Sequence, residues 1–276
     1  MTTKKKKEKD LMKATPNILE DRGVISNYLE TIEPNNKFYI DIGSSNEPNL
    51  DPNIVRDSDL TILCECDAIK HPCTTLGEIS TREHVHFIRD KVTPSNVVDL
   101  ISNITKNIEP KFVDIDIDGY DFFVLEALLK KMTPTIIMAE INEKIPPPIK
   151  FTVKYDPNYW WDTSHFYGMS LSKLYELLDR YGYDLINLTF NNAYAVRKDK
   201  NPGYTSFTPE EAYDVFYKNA SDREHHFGYN GNVNSLLELT PEEGIDFIRH
   251  FFSSPACLHR RPIDGTYDSD RYEVYI

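Results

Sequence analysis

Five short apolar runs recur along the first 140 residues, and each delivers a carboxylate at or just past its end. They are Lys37-Phe-Tyr-Ile-Asp41, Leu60-Thr-Ile-Leu-Cys-Glu65, His84-Val-His-Phe-Ile88 with Asp90 just beyond, Lys111-Phe-Val-Asp-Ile-Asp116 and Thr135-Ile-Ile-Met-Ala-Glu140. Such near-continuous apolar runs read as strands buried on both faces. Helical patterns lie between them. Val97, Leu100, Ile101 and Ile104 fall at i, i+3, i+4 and i+7 behind Thr93-Pro94, a cap and first-turn pair. Residues 120–131 form a second pattern, with Phe123, Val124, Ala127 and Leu128 inward. Strands alternating with helices predict an α/β fold with a doubly wound, mostly parallel sheet. Asp184–Phe190 and Ala193–Val196, turned at Asn191-Asn192, predict a closing antiparallel hairpin and bring the sheet to seven strands.

The flanks read differently. Residues 1–16 are a basic tail, expected to be disordered. Asn17–Ile32 carries a leading helix, expected to break or kink at Gly23. Residues 43–58 are rich in Asn, Pro, Ser and Asp and read as loop. Residues 145–168 interrupt the pattern with Pro146-Pro-Pro148 and many aromatics. A helix follows from Ser170 or Leu171 to near Gly182. Beyond 200, Thr208-Pro-Glu-Glu and Thr240-Pro-Glu-Glu are capping boxes, so 201–276 reads as a mainly helical extension of the Rossmann-like domain at 17–200.

The formal net charge of -13 argues against broad contact with a phosphate backbone, so nucleic acid is not the expected partner. No run of 18 apolar residues predicts a membrane span, and the N-terminus lacks the apolar stretch of a secretory signal. Cys64, Cys66, Cys73 and Cys257 match neither a disulfide framework nor paired zinc knuckles. Cys64 and Cys66 are expected to share one strand face. A cytoplasmic protein is the expectation, and a homodimer is compatible with it.

In an open parallel sheet, ligands bind beyond the carboxyl ends of the strands. That edge would gather Asp41, Gly43, Ser44, Ser45, Glu65, Asp67, Asp90, Asp116, Asp118, Glu140 and Asn142. So many acids on one edge need cations or hydroxyl donors. Gly43 would let backbone approach a ligand. Glu65, at the second strand end, holds the position that binds ribose hydroxyls in dinucleotide folds. GxGxxG is absent and acids crowd the place of phosphates, which favours a nucleoside bearing positive charge.

Phe38-Tyr-Ile-Asp-Ile-Gly43, Glu65-Cys-Asp67, Lys91-Val-Thr-Pro-Ser-Asn96, Asp114-Ile-Asp-Ile-Asp-Gly-Tyr-Asp121 and Ala139-Glu-Ile-Asn142 resemble the successive motifs of FkbM-type methyltransferases. Phe166-Tyr-Gly-Met-Ser-Leu171 and Asn192-Ala-Tyr-Ala-Val196 continue the likeness across residues 35–198. The resemblance implies S-adenosylmethionine as methyl donor and a hydroxyl acceptor, often on a sugar or glycan. It implies Asp41 and Gly43 on the methionine side, Glu65 at the ribose, Asp90 near adenine and Asp116 by the methionine portion and the reacting methyl, with Ser44, Ser45 and Asp67 as further cofactor contacts. The chain departs from the pattern where further glycines are usual: Ser45 and Glu47 stand there, followed by Pro48. That keeps open a non-catalytic interaction protein of the same fold. Methylation of RNA or another polymer is a further alternative.

Methyl transfer to a hydroxyl needs a positioned nucleophile and a proton acceptor. The candidates are Asp116, Glu140 and His165, with Asp118 and Asn142 beside them. Asp116, Asp118 and Glu140 also form a hard-oxygen set for Mg²⁺ or another divalent cation. Asp118 has a plainer reading as the N-cap of the helix over 120–131. His165 has one as a structural residue of the loop Tyr159–Tyr167, whose aromatics either stack on a sugar face or cover a core edge. His225-His226 reads as a solvated pair.

Overall fold

Residues 16–45, 48–66, 82–105, 108–254 and 267–276 are described by a computed structural model. The first fifteen residues of the expected tail, together with Asp67, Cys73 and Cys257, lie outside the described residues.

Each of the five apolar runs is a strand: β1 (Phe38–Ile42), β2 (Leu60–Cys64), β3 (Val85–Ile88), β4 (Phe112–Ile115) and β5 (Ile136–Glu140). A short strand β6 (Lys150–Val153) follows, then the hairpin β7 (Tyr183–Thr189) and β8 (Asn192–Arg197), and finally β9 (Tyr272–Tyr275). The main sheet has seven strands in the order β3-β2-β1-β4-β5-β8-β7. Strands β1 to β5 pair in parallel. Only β8 is reversed, since it pairs antiparallel with both β5 and β7. The order reverses at β1/β4, where a Rossmann-like sheet opens its crevice.

The helices are α1 (Pro16–Thr31), α2 (Pro52–Arg56), α3 (Val97–Thr105), α4 (Asp121–Leu129), α5 (Leu171–Arg180), α6 (Pro209–Tyr213), α7 (Arg223–His226) and α8 (Pro241–Phe252). Alternation along the strands sorts the core into two faces. Ile40, Ile42, Val113, Ile115, Ile137 and Ala139 point toward α3, α4 and α5. Tyr39, Phe112, Ile136 and Met138 point toward α1 and α2, where they meet Ile25, Tyr28, Leu29 and Val55. Each fully buried aliphatic side chain contributes about 1.5–3 kcal/mol relative to exposure.

Several local expectations change. The break at Gly23 does not occur; α1 runs unbroken through it, and Gly23 lies exposed with open space where a Cβ would stand. The C-terminal end of α1 is held by buried Lys111, whose ammonium donates to the Leu29 carbonyl. Regular α3 starts at Val97, and the turn before it is closed by both ends: the Thr93 carbonyl accepts from Asn96 and Val97 N–H, at 3.2 and 3.0 Å, and the Asn96 side chain reaches back. Asn96 Oδ1 accepts from Thr93 N–H at 2.7 Å, and Asn96 Nδ2 donates to the Lys91 carbonyl at 3.0 Å. Cys64 ends β2, so Cys66 lies in the following loop and is exposed instead of sharing its face. The capping boxes at Thr208 and Thr240 are both formed.

The C-terminal residues are mainly helical but end in β9, which pairs antiparallel with β6 to make a second, two-stranded sheet. Tyr213, Tyr217, Phe227, Leu236, Ile248 and Phe252 belong to the same apolar cluster as the α3–α5 face of the main sheet. A fully buried polar knot joins the two parts. Glu143 accepts from Tyr167 Oη at 2.8 Å and from Asn230 Nδ2 at 2.7 Å, and Lys144 Nζ donates to Tyr167 Oη at 2.9 Å. Among the described residues, no helix is long and apolar enough to cross a membrane.

Candidate functional site

A cleft of about 550 Å³ opens at the carboxyl ends of β1, β2, β4 and β5. Gly43, Ser45, Glu65, Cys66, Asp90, Asp116, Asp118, Tyr120 and Glu140 line it, and Tyr159, Trp160 and Trp161 form its aromatic wall. A larger hollow, about 670 Å³, lies at the opposite strand ends between Lys37, Asp59, His84 and His86. Strand-end crevices of this sheet type take ligands at the carboxyl edge, so chemistry belongs to the smaller one.

The floor is built by a close backbone approach. Gly43 has φ of 97°, and a Cβ there would stand 1.6 Å from the Asp116 carbonyl oxygen. Only glycine lets the β1 loop cross the end of β4. Gly43 and Ser44 N–H both donate to the Cys64 carbonyl, at 2.9 and 3.0 Å. Ser45 then turns left-handed, with φ of 51°, and its N–H donates to Glu65 Oε2 at 2.9 Å. Ser45 thus takes up a conformation that favours glycine, and it fixes the Glu65 carboxylate at the cleft.

The β4–α4 loop carries the acids. Asp121, not Asp118, organises it: the Asp121 carboxylate accepts from Ile117 and Gly119 N–H, both at 2.8 Å. Tyr120 is the helix N-cap position and makes no side-chain cap bond. Asp118 adopts φ of 55° on the curled loop and faces the cleft. Carboxylate oxygens of Asp116, Asp118 and Glu140 lie within 4.8 Å of one another. Glu140 is buried, with Oε1 accepting from Asn191 Nδ2 at 2.7 Å and Oε2 lacking a hydrogen-bond donor. Burial first, and the neighbouring carboxylates next, push Asp116 and Glu140 well above the usual carboxylate range.

The wall is a strapped loop. Lys91 Nζ donates to the carbonyls of Pro157 and Tyr159 at 2.8 and 2.7 Å, and its charge sits 4.7 Å from the Trp160 ring centre. Gly119 is small enough for Tyr159 to pack on it; a Cβ there would be 2.7 Å from the ring. Trp161 Nε1 donates to the Ser164 carbonyl at 2.9 Å. Tyr267 stacks on Phe166 at 3.9 Å and bonds both Ser164 and Asp162. Trp160 remains 61% exposed and Trp161 39%, so both rings are available to a ligand.

The cleft therefore gathers Gly43, Ser45, Glu65, Asp90, Asp116, Asp118 and Glu140 from among the residues expected there. It does not gather four others. Asp41 is buried behind the floor, accepting from Asn49 and Leu50 N–H, because period-two alternation turns it to the α1 side. Ser44 is buried, with its hydroxyl on the Cys64 carbonyl at 3.3 Å. His165 is fully buried with its ring 5.4 Å from Phe251, outside the cleft lining. Asn142 lies behind the wall and donates to the His165 and Tyr167 carbonyls, both at 2.9 Å. Sequence reasoning missed Lys91 as the strap's anchor; its signal was a lone cation directly after the Asp90 strand end.

No family model matches the chain, and no curated protein matches it. Among solved structures it is similar to a candidate hemolysin from Streptococcus thermophilus, at 14% identity and a TM-score of 0.43, covering 79% of this chain and 76% of that one. It is similar to magnesium protoporphyrin IX methyltransferase from Synechocystis PCC 6803, bound to S-adenosylhomocysteine, at 8% identity and a TM-score of 0.40, covering 65% and 83%. It is also similar to an S-adenosylmethionine-dependent methyltransferase from Geobacter sulfurreducens in complex with S-adenosyl-L-homocysteine. There the identity is 16% and the TM-score 0.37, with coverage of 63% and 66%. Likenesses this distant do not say what this chain does.

Proposed function

We propose that the chain is an S-adenosylmethionine-dependent O-methyltransferase whose acceptor is a hydroxyl of a carbohydrate or glycan-like molecule. The observation that carries this is the cleft edge. Glu65, fixed by Ser45 N–H, stands at the second strand end beside the Gly43 floor, with Asp90 at the third. The donor set fits a cationic nucleoside: carboxylates and backbone amides line the cleft, and no glycine-rich phosphate turn follows β1.

Glu65 would hold ribose hydroxyls, Asp90 would lie at the adenine end, and Gly43 and Ser45 would border the methionine end. When bound, the cofactor supplies an electrophilic methyl group on a sulfonium. The remaining work falls to this chain's own groups. Trp160 and Trp161 offer exposed faces for a sugar ring. Asp116 and Glu140, which line the cleft, would take the acceptor's proton.

Calorimetry with S-adenosylmethionine and S-adenosylhomocysteine tests the reading. Binding is expected, with at least a tenfold loss on Glu65→Ala and little change on the exposed control Asp99→Asn. No heat at millimolar cofactor would refute it.

A further inference from the structure

We propose that Asp116, Asp118 and Glu140 hold one divalent, oxygen-seeking cation at the inner end of the cleft. The three carboxylates come from two adjacent strand ends, and their oxygens lie within 4.8 Å of one another. All are hard oxygen donors, the chemistry of Mg²⁺ and Mn²⁺ rather than of zinc. Three oxygens in a pocket do not make a site alone, since protons can relieve the same repulsion.

Glu140 supplies the second observation. It is only 4% exposed, and its Oε1 is taken by Asn191. Its Oε2 is buried with no protein donor, and the Glu140 carboxylate lies beside the other two. A buried carboxylate oxygen is costly unless something positive reaches it. Lys144, the next cation along the chain, is already held by Tyr167 and Glu143. Lys91, across the cleft, is spent on the Pro157 and Tyr159 carbonyls.

The open side matters too. Asp116 and Asp118 are only partly buried and face the cleft. An ion there would keep positions for water and for one ligand oxygen, as Mg²⁺ sites commonly do. That oxygen would be the acceptor hydroxyl, whose pKa the ion lowers. This last step rests on the methyltransferase reading; cation binding itself does not.

The test uses the full chain, stripped with EDTA and titrated with Mn²⁺ while the free ion is followed by electron paramagnetic resonance. About one equivalent should be taken up. Asp118→Asn and Glu140→Gln should each weaken uptake at least tenfold, and Asp99→Asn should leave it unchanged. Circular dichroism and melting of each variant show that it has folded. No uptake at millimolar Mn²⁺, or equal uptake by Asp118→Asn, overturns the proposal. Calorimetry with S-adenosylhomocysteine in EDTA runs separately. Cofactor binding without Mn²⁺ uptake sinks the cation alone, and Mn²⁺ uptake without cofactor binding sinks the methyltransferase alone.

Discussion

Two groups of acids sit a few residues apart and serve opposite ends. Behind the sheet, Asp21, Asp41 and Asp114 are closed off from water. At its edge, Asp116, Asp118 and Glu140 face the cleft. Each rear acid has at least one fixed neutral donor, although Asp41 Oδ2 and Asp114 Oδ1 are left without one. Asp21 accepts from Thr189, Asn192 and Tyr194; Asp41 accepts from the Asn49 and Leu50 backbone; Asp114 accepts from Asn49 Nδ2 at 2.9 Å. These bonds fasten α1 and the loop after β1 onto the sheet. In the front group, Glu140 Oε1 accepts from Asn191 Nδ2 and Oε2 has no protein donor. A buried acid surrounded by fixed donors is part of the fold. An acid that faces an opening is a candidate to meet a ligand there.

The contrast is broken most forcefully at Asp21. Asp21→Ala strands three buried donors, and the expected cost is on the order of 3–5 kcal/mol. Thermal melting should show a fall of roughly 10 °C. A variant that melts within a degree or two of the parent would remove the rear group's structural role.

Asp41 gives a smaller effect with a pH signature. Burial pushes its carboxyl from an ordinary value of 3.8 up to about 7. A folded-state value raised in this way favours folding at low pH, and that contribution is lost as pH rises from about 4 to about 7. Asp41→Asn stays neutral throughout. Its stability relative to the parent should therefore climb across that window, by up to a few kcal/mol, in urea melts at pH 4.5 and 7.5. A pH-independent difference would contradict a protonated Asp41.

The front group should hardly move stability at all. Asp118→Asn removes one charge from a repelling cluster, so melting in EDTA should be unchanged or higher by about 1 kcal/mol. A large loss would make Asp118 a structural residue and merge the two groups.

The strands were legible because each buried run is apolar throughout and closes on an acid, and the hairpin because Asn191 interrupts two such runs. The pair β6–β9 was not. Lys150-Phe-Thr-Val153 is four residues beyond a proline cluster, and its partner lies about 120 residues on. Only long-range pairing makes it a strand. Gly23 misled for a related reason: docking of Ile25, Tyr28 and Leu29 outweighs one glycine's cost of about 1 kcal/mol. At the site, Asp41 and Asp114 stand side by side in the sheet, and the strand patterns say nothing of which helix covers their face. Asp118 and Asp121 are equally good capping types, and the curl of the loop chose between them. His165 could not be placed because a histidine among aromatics packs as readily as it reacts.

The clamp on the aromatic wall has a consequence for how the protein is made. Tyr267, which stacks on Phe166, and β9, which completes β6, leave the ribosome about 100 residues after the loop they secure. Until then the nascent chain has β6 without its strand partner and Phe166 without its stacked ring. A stop codon before residue 267 would release a chain that lacks both of these fastenings of the aromatic wall.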